Sequence, residues 1–270
     1  MNICIAGKNN IAVKSLEYLI LSKIININDI FVCPIENDLG MDTWQLSLRK
    51  FAEVNNLKII KLNELYDIEN LVFISLEYDK IIKPSLFKTK KLFNIHFSHL
   101  PKYKGMFTSI WPILNGELRS GVTLHKIDSG IDTGDIIAQY KFDIDINDTA
   151  RDLYFKYLDY GLQLFKDFIK NIVNNNYSYI KQPYLNSSYY SKNSIDFNNI
   201  KIDLIKTSFE IHNQIRAFIF PEYQLPMLNG HYLTKSELIN EKIDAKYYEK
   251  RGNKIILSGV DSHKVILDVL

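Results

Sequence analysis

The residues best suited to chemistry lie in the run Phe93-Asn94-Ile95-His96-Phe97-Ser98-His99-Leu100-Pro101. Leu92–Phe97 reads as a buried strand, and residues two apart on a strand share one face. Asn94 and His96 therefore point into the same space at a strand's carboxyl end, where open α/β sheets place their sites. A second polar cluster runs from Asp128 to Ile136, with Gly130 and Gly134 bracketing Asp132. A loop of that kind lets the backbone approach a ligand and aims a carboxylate. An amide, a titratable imidazole and a carboxylate together suit acyl transfer. His96 accepts a proton from the attacking group, Asp132 supports the imidazolium, and Asn94 stabilises the developing oxyanion. The same residues also have a plain structural reading, because Asp beside glycine is a common turn former. No serine nucleophile elbow, Walker motif or Cys/His metal spacing competes with the set, so no metal is expected. Gly7-Lys8-Asn9-Asn10 lacks the further glycines of a dinucleotide fingerprint.

Positioning these residues requires a sheet. Asn2–Ala6, Phe31–Pro34, Leu57–Leu62, Leu71–Leu76 and Leu92–Phe97 read as strands. Ile11–Leu21 and Thr43–Val54 read as helices, the second with Leu46, Leu48, Phe51 and Val54 near helical spacing. This alternation predicts an α/β fold, a Rossmann-like, mostly parallel sheet with helices on both faces. Val122–Ile127 and Ile136–Phe142 form a strand pair around the Asp132 loop. A long helix begins at Asp148 or Thr149 and ends near Val173. The texture changes after residue 183. Polar, turn-rich stretches at 186–191 and 193–199 read as a linker, Ile202–Phe218 as a helix, and Asn229-Gly230 as a hairpin turn. Late strands follow at 254–257 and 264–267. Residues 1–183 are therefore expected to be a catalytic domain, and 184–270 a small α+β subdomain.

Composition narrows the class. Hydrophobic residues make up 46% of the 270 positions, and the net charge is +2. That charge supplies no nucleic-acid footprint. No apolar run is long enough to span a membrane, and no secretory signal pattern precedes the first strand. A cytoplasmic enzyme is expected, with Cys4 and Cys33 as buried thiols.

Asn94–Pro101, Gly105, Asn115-Gly116-Glu117, Gly121-Val122-Thr123, His125 and Asp128–Ile136 together resemble the core of the formyltetrahydrofolate-dependent formyltransferases. The stretch Ile211–Phe218 resembles the segment that leaves the catalytic domain in methionyl-tRNA and sugar formyltransferases. The resemblance implies N10-formyltetrahydrofolate as co-substrate and a catalytic triad of Asn94, His96 and Asp132. It also places the folate near Leu76, Glu77, Tyr78, Ile81, Ile82 and Asp128.

The family formylates several amines. The short C-terminal part and Phe218-Ile219-Phe220-Pro221-Glu222-Tyr223 make this chain most similar to the enzymes of nucleotide-linked amino sugars. A dTDP-linked 3- or 4-amino-dideoxyhexose is the expected acceptor, within lipopolysaccharide or related glycan synthesis. Phe218, Phe220 and Tyr223 are candidates to stack on the base. Lys8, Asn9, Lys102 and Lys104 are candidates for the pyrophosphate, and Met106, Phe107 and Thr108 for the hexose. Methionyl-tRNA, glycinamide ribonucleotide and a non-catalytic folate- or nucleotide-binding role are the alternatives. A homodimer is compatible with the C-terminal strand edges.

Overall fold

The computed structural model describes all 270 residues. The chain begins β1 (Asn2–Gly7), α1 (Asn9–Ser22), β2 (Ile30–Pro34), α2 (Leu48–Val54), β3 (Lys58–Ile59), β4 (Leu71–Leu76) and β5 (Leu92–His96). After β6 (Lys104–Gly105) and α3 (Trp111–Leu114) come β7 (Arg119–Lys126), β8 (Ile136–Asp143) and α4 (Ala150–Val173). A seven-stranded sheet has the order β3-β2-β1-β4-β5-β7-β8. The first five strands pair in parallel, and β7 runs antiparallel to β5. Every residue of β2 and β4 is buried, as strands covered on both faces require.

Alternation divides the sheet's two faces. Cys4, Ala6, Phe31, Cys33, Phe73 and Leu92 meet Leu65 and Phe87 in one core cluster. This face is covered by short 3-10 turns at Leu62–Leu65 and Pro84–Leu86 rather than by long helices. On the other face, Gly161 of α4 lies against Ile11 of α1 and Ile95 of β5; a methyl there would fall 3.0 Å from Ile11 Cδ1. Glycine is needed more strictly at Gly7, where an added Cβ would come within 2.0 Å of the Leu76 carbonyl oxygen.

Two expected elements are shorter than their apolar spacing suggests. The helix expected from Thr43 begins only at Leu48, because Ser47 is extended and its Oγ caps the helix by accepting from the Lys50 N–H at 3.0 Å. Ser47 is itself tied back to Asp42 and Asp38. Leu46 and Val54 are exposed, leaving Leu48 and Ala52 as the buried stripe. The strand expected over 57–62 pairs only at Lys58–Ile59, since the 3-10 turn starts at Leu62.

The remaining elements are β9 (Tyr189–Tyr190), α5 (Ser208–Arg216), β10 (Met227–Leu228), β11 (His231–Lys242), β12 (Tyr248–Arg251), β13 (Lys254–Ser258) and β14 (His263–Val269). Five of these strands form a sheet of order β10-β11-β14-β13-β12, with antiparallel pairing throughout. Asn229 and Gly230 both take positive φ, the geometry of a type I′ hairpin turn. Helix α5 is shorter than expected because Thr207 and Glu210 form a capping box at its start. Its Ile211 and Ile215 join Leu233, Leu257, Val265 and Leu267 in a second core. The edge strand β12 escaped sequence reading because Glu249, Lys250 and Arg251 hide any alternation.

Contacts divide the chain into two compact units. Residues 1–104, 121–141 and 157–188 form one; residues 105–120, 142–156 and 189–270 form the other. In the second, the fully buried Arg216 guanidinium donates to Asn213 Oδ1 and to the carbonyls of Asp145 and Asp148, at 2.7–3.0 Å. The stretch expected to be a plain linker is organised by aromatics. Tyr190 stacks on Trp111 at 3.9 Å, and Phe197 meets the rings of Phe107 and Phe218.

Candidate active site

Strand β5 carries the apolar Leu92 and then the polar Asn94 and His96 along one face, so the core gives way to polar groups at the strand's carboxyl end. Antiparallel pairing sets Asn94 opposite His125 and His96 opposite Thr123. Directly opposed side chains in such a pair meet. The loop between β7 and β8 then returns Asp132 to the same place. Asp132 adopts φ +53, a left-handed conformation that aspartate tolerates better than most residues. Gly134 leaves no alternative nearby, since an added Cβ would fall 1.8 Å from the Lys126 carbonyl oxygen. Asp128 closes the loop by accepting from the Gly130 N–H at 3.1 Å and the Thr133 hydroxyl at 2.6 Å.

The four polar side chains form one cluster. Asn94 Nδ2 donates to His125 Nε2 at 3.1 Å and to Asp132 Oδ1 at 3.3 Å. Asp132 Oδ2 is 3.5 Å from His96 Nδ1, and its Oδ1 is 3.6 Å from His125 Nε2. The rings of His96 and His125 are 6.4 Å apart at 82°. His96 and His125 are buried, and the Asp132 side chain is 13% exposed.

Thr123 and Gln182 hold the surrounding loops. Thr123 Oγ1 donates to the Ser98 carbonyl and accepts from the Leu100 N–H and from Gln139. Gln182 Nε2 donates to the carbonyls of Asp132 and Gly134 at 2.9 and 2.8 Å, fastening the loop that carries the carboxylate. Sequence reading gave neither Gln182 nor His125 a role. Nothing in the sequence marks Gln182, whereas the strand register opposite Asn94 identifies His125.

The other candidates fall into distinct settings. Leu76 and Ile82 are core residues, while Ile81 is exposed. Tyr78 is half-buried, with its hydroxyl 3.4 Å from Cys33 Sγ, and burial pushes its pKa up. Glu77 takes φ +55 and accepts from Asn9 Nδ2 at 3.2 Å, where the chain order of the strands reverses between β1 and β4. Lys8 is partly exposed, and its N–H donates to the Leu76 carbonyl. Lys104 is buried and donates to Ser187 Oγ at 2.8 Å, so it is a less free cation than expected. Lys102 is partly exposed, and its carbonyl accepts from Ser98. In the second unit Met106 is exposed, Phe107 takes φ +60, and Thr108 is partly exposed. The three expected base-stacking rings differ sharply. Phe218 and Phe220 are buried, Phe220 packing between Tyr154 and Tyr223, whereas Tyr223 is 62% exposed. Of the three, Phe218 and Phe220 complete the core and Tyr223 is the exposed ring. No group of three or more His, Cys, Asp or Glu side chains is placed to hold a metal ion, and no helix is long and apolar enough to cross a membrane.

The sheet and the polar cluster at its carboxyl edge define an α/β enzyme of the acyl-transferring kind. Residues 48–169 match the family described as Formyl transferase. The chain is 58% identical to WlaRD, a sugar 3N-formyl transferase crystallised in the presence of dTDP and 5-N-formyl-THF. That alignment covers 100% of this chain and 98% of the other, with a TM-score of 0.97. It is 54% identical to the N-formyltransferase from Helicobacter canadensis, solved with folinic acid and dTDP-3-aminofucose, over 100% of both chains and with the same TM-score. Methionyl-tRNA formyltransferase from Alkaliphilus oremlandii is 28% identical, over 96% of this chain and 88% of that protein. The chain belongs to the formyltransferase family.

Proposed function

We propose that this enzyme transfers the formyl group of N10-formyltetrahydrofolate to the amine of a dTDP-linked 3-amino-dideoxyhexose. The observation that carries the reading is end-to-end identity of 54–58% with two sugar N-formyltransferases. Methionyl-tRNA enzymes match at 25–30%. The folate reading is supported by relatives solved with 5-N-formyl-THF or folinic acid. Tyr78 and Ile81 line a cavity of about 710 Å³ whose wall carries Lys61, Lys80 and Lys83 but also Glu36 and Glu64. Under this reading the segment from Leu76 to Ile82 and Asp128 hold the folate, which supplies the formyl carbon. Tyr223 is the candidate for stacking on the acceptor's base, and Lys8, Asn9 and Lys102 are candidates for its pyrophosphate on the charge and exposure of their own loops.

Asn94, His96 and Asp132 then do the chemistry. The amine attacks the formyl carbon through a free lone pair, the tetrahedral adduct sheds a proton from the attacking nitrogen, and that proton passes on to the departing folate nitrogen as the carbon–nitrogen bond to the carrier breaks. His96 takes that proton on Nδ1, and the Asp132 carboxylate stabilises the charged ring. Asn94 directs an N–H toward the negative charge that builds on the formyl oxygen. The 3.3 Å bond from Asn94 to Asp132 is the longer of its two, and it is the one that oxygen takes over.

The folate supply and the nucleotide-sugar acceptor support a cytoplasmic enzyme of glycan or lipopolysaccharide synthesis. Open strand edges in the C-terminal sheet support a homodimer. The test presents purified enzyme and formyltetrahydrofolate with dTDP-3-aminofucose, a dTDP-4-amino sugar, glycinamide ribonucleotide and methionyl-tRNA in parallel. Formylation of the 3-amino sugar with the highest kcat/KM is expected. Preference for any other acceptor overturns the assignment of the substrate.

A further inference from the structure

His125 is absent from the chemical steps above, yet its ring is buried in the middle of the cluster. Its Nδ1 is 2.7 Å from the Lys126 carbonyl oxygen. A carbonyl oxygen can only accept, so Nδ1 carries the hydrogen. In the neutral ring Nε2 is then a bare acceptor, and it is this nitrogen that Asn94 Nδ2 approaches at 3.1 Å. The second N–H of the same amide points at Asp132 Oδ1. Turned over, the amide would set its oxygen against two acceptors, the imidazole lone pair and the carboxylate. It would also set an oxygen where negative charge must develop.

We propose that His125, as its Nδ1–H tautomer, is a positioning residue that fixes the Asn94 amide with an N–H presented to the reacting centre. This rests on the reaction proposed above and adds to it the residue that selects which end of Asn94 faces the formyl oxygen. The Lys126 carbonyl sets the tautomer, the tautomer sets the amide, and the amide sets the sign of the partial charge at the site. Strand pairing enforces the chain of contacts, because Asn94 and His125 are directly opposed between β5 and β7. Asp132 alone selects the same orientation less firmly, since its 3.3 Å bond is surrendered during the reaction.

Two variants and one spectrum test this. His125→Leu removes the acceptor, whereas His125→Gln can return a carbonyl oxygen to Asn94. His125→Leu should lower kcat by about 10–100-fold, the range expected when a buried donor loses its hydrogen-bond partner, with KM for both substrates within about twofold. His125→Gln should recover the rate to within about fivefold of the native enzyme, on the same scale. Equal kcat for the two variants would overturn the proposal. Independently, nitrogen NMR of histidine-labelled native enzyme should show a protonated Nδ1 and an unprotonated Nε2 on His125 at the pH of assay. A protonated Nε2 would overturn the proposal even if the leucine variant failed to fold. The spectrum needs no acceptor, so a wrong choice of sugar would leave the tautomer assignment intact.

Discussion

The Nε2 of His96 lies 2.8 Å from the carbonyl oxygen of Tyr103. That oxygen can only accept, so Nε2 carries a hydrogen and the neutral ring keeps its lone pair on Nδ1, the nitrogen 3.5 Å from Asp132. Tyr103 reaches this position through a left-handed backbone, φ +60, with its own N–H held by Ser188. Replacing His96 with alanine should lower kcat by about 10²–10⁴-fold and leave the melting temperature and folate binding near native values. Steady-state kinetics and calorimetry measure both. Turnover within threefold of native, roughly a 0.7 kcal/mol effect, would remove His96 from the mechanism.

Asp132 and Asn94 should prove coupled. Asp132→Asn keeps the shape and removes the charge facing His96 Nδ1. Asn94→Ala removes the amide and should cost about 10²–10³ in rate. The Asn94 amide donates to Asp132, so neither residue acts alone. A double variant slowed by the full product of the two single effects would show that they act independently, against the shared network of the cluster.

Binding and stability should separate between two neighbouring rings. Tyr223 is exposed and Phe220 is buried beside it, their ring centres 4.8 Å apart. Tyr223→Ala should weaken binding of the dTDP-sugar by about 1–3 kcal/mol with little loss of stability. Phe220→Ala should destabilise the fold by about 3–5 kcal/mol. Titration calorimetry and denaturant unfolding distinguish the two effects, and unchanged affinity in Tyr223→Ala would remove that ring from the base site.

His212 should make the protein sensitive to mild acid. Its ring is fully buried, with Nδ1 2.7 Å from Ser236 Oγ and Nε2 2.7 Å from the Ile146 carbonyl. Burial is the main cause of a pKa lowered from 6.5 to about 4. The unfolded chain therefore binds this proton between those values and the folded chain does not. Stability is fully present above about pH 6.5 and is lost as pH falls toward 4, by about 3 kcal/mol from this group. Urea unfolding at a series of pH values should show that slope, and His212→Gln should flatten it. An unchanged slope in the variant would assign the acid sensitivity elsewhere.

The sequence carried the architecture well where a periodicity had no competitor. Strands β1, β2 and β4 are largely apolar runs, β5 stands out by its polar residues at alternate positions, and Asn229-Gly230 marks its hairpin unaided. It misled where a local hydrogen bond overruled spacing. Ser47 stops the helix expected from Thr43, and Thr207 starts α5 later than its apolar pattern suggests. Spacing only suggested Asn94, His96 and Asp132, and the family resemblance singled them out; the structure brings all three within hydrogen-bonding or ion-pairing reach. The clasp of Gln182 on the Asp132 loop was not legible, since it spans 50 residues with no motif. Burial also separated Phe218 and Phe220 from Tyr223, a distinction that three aromatics in one short stretch do not disclose.

The second compact unit draws on three separated stretches of chain, 105–120, 142–156 and 189–270. Arg216 and His212, from the last stretch, are anchored on carbonyls of Asp145, Ile146 and Asp148 in the middle one. Exchanging only the tail beyond residue 188 between relatives therefore separates parts of one compact unit. A chimera joined there would ask a foreign helix to find its hooks on native carbonyls, and a productive graft must carry all three stretches together.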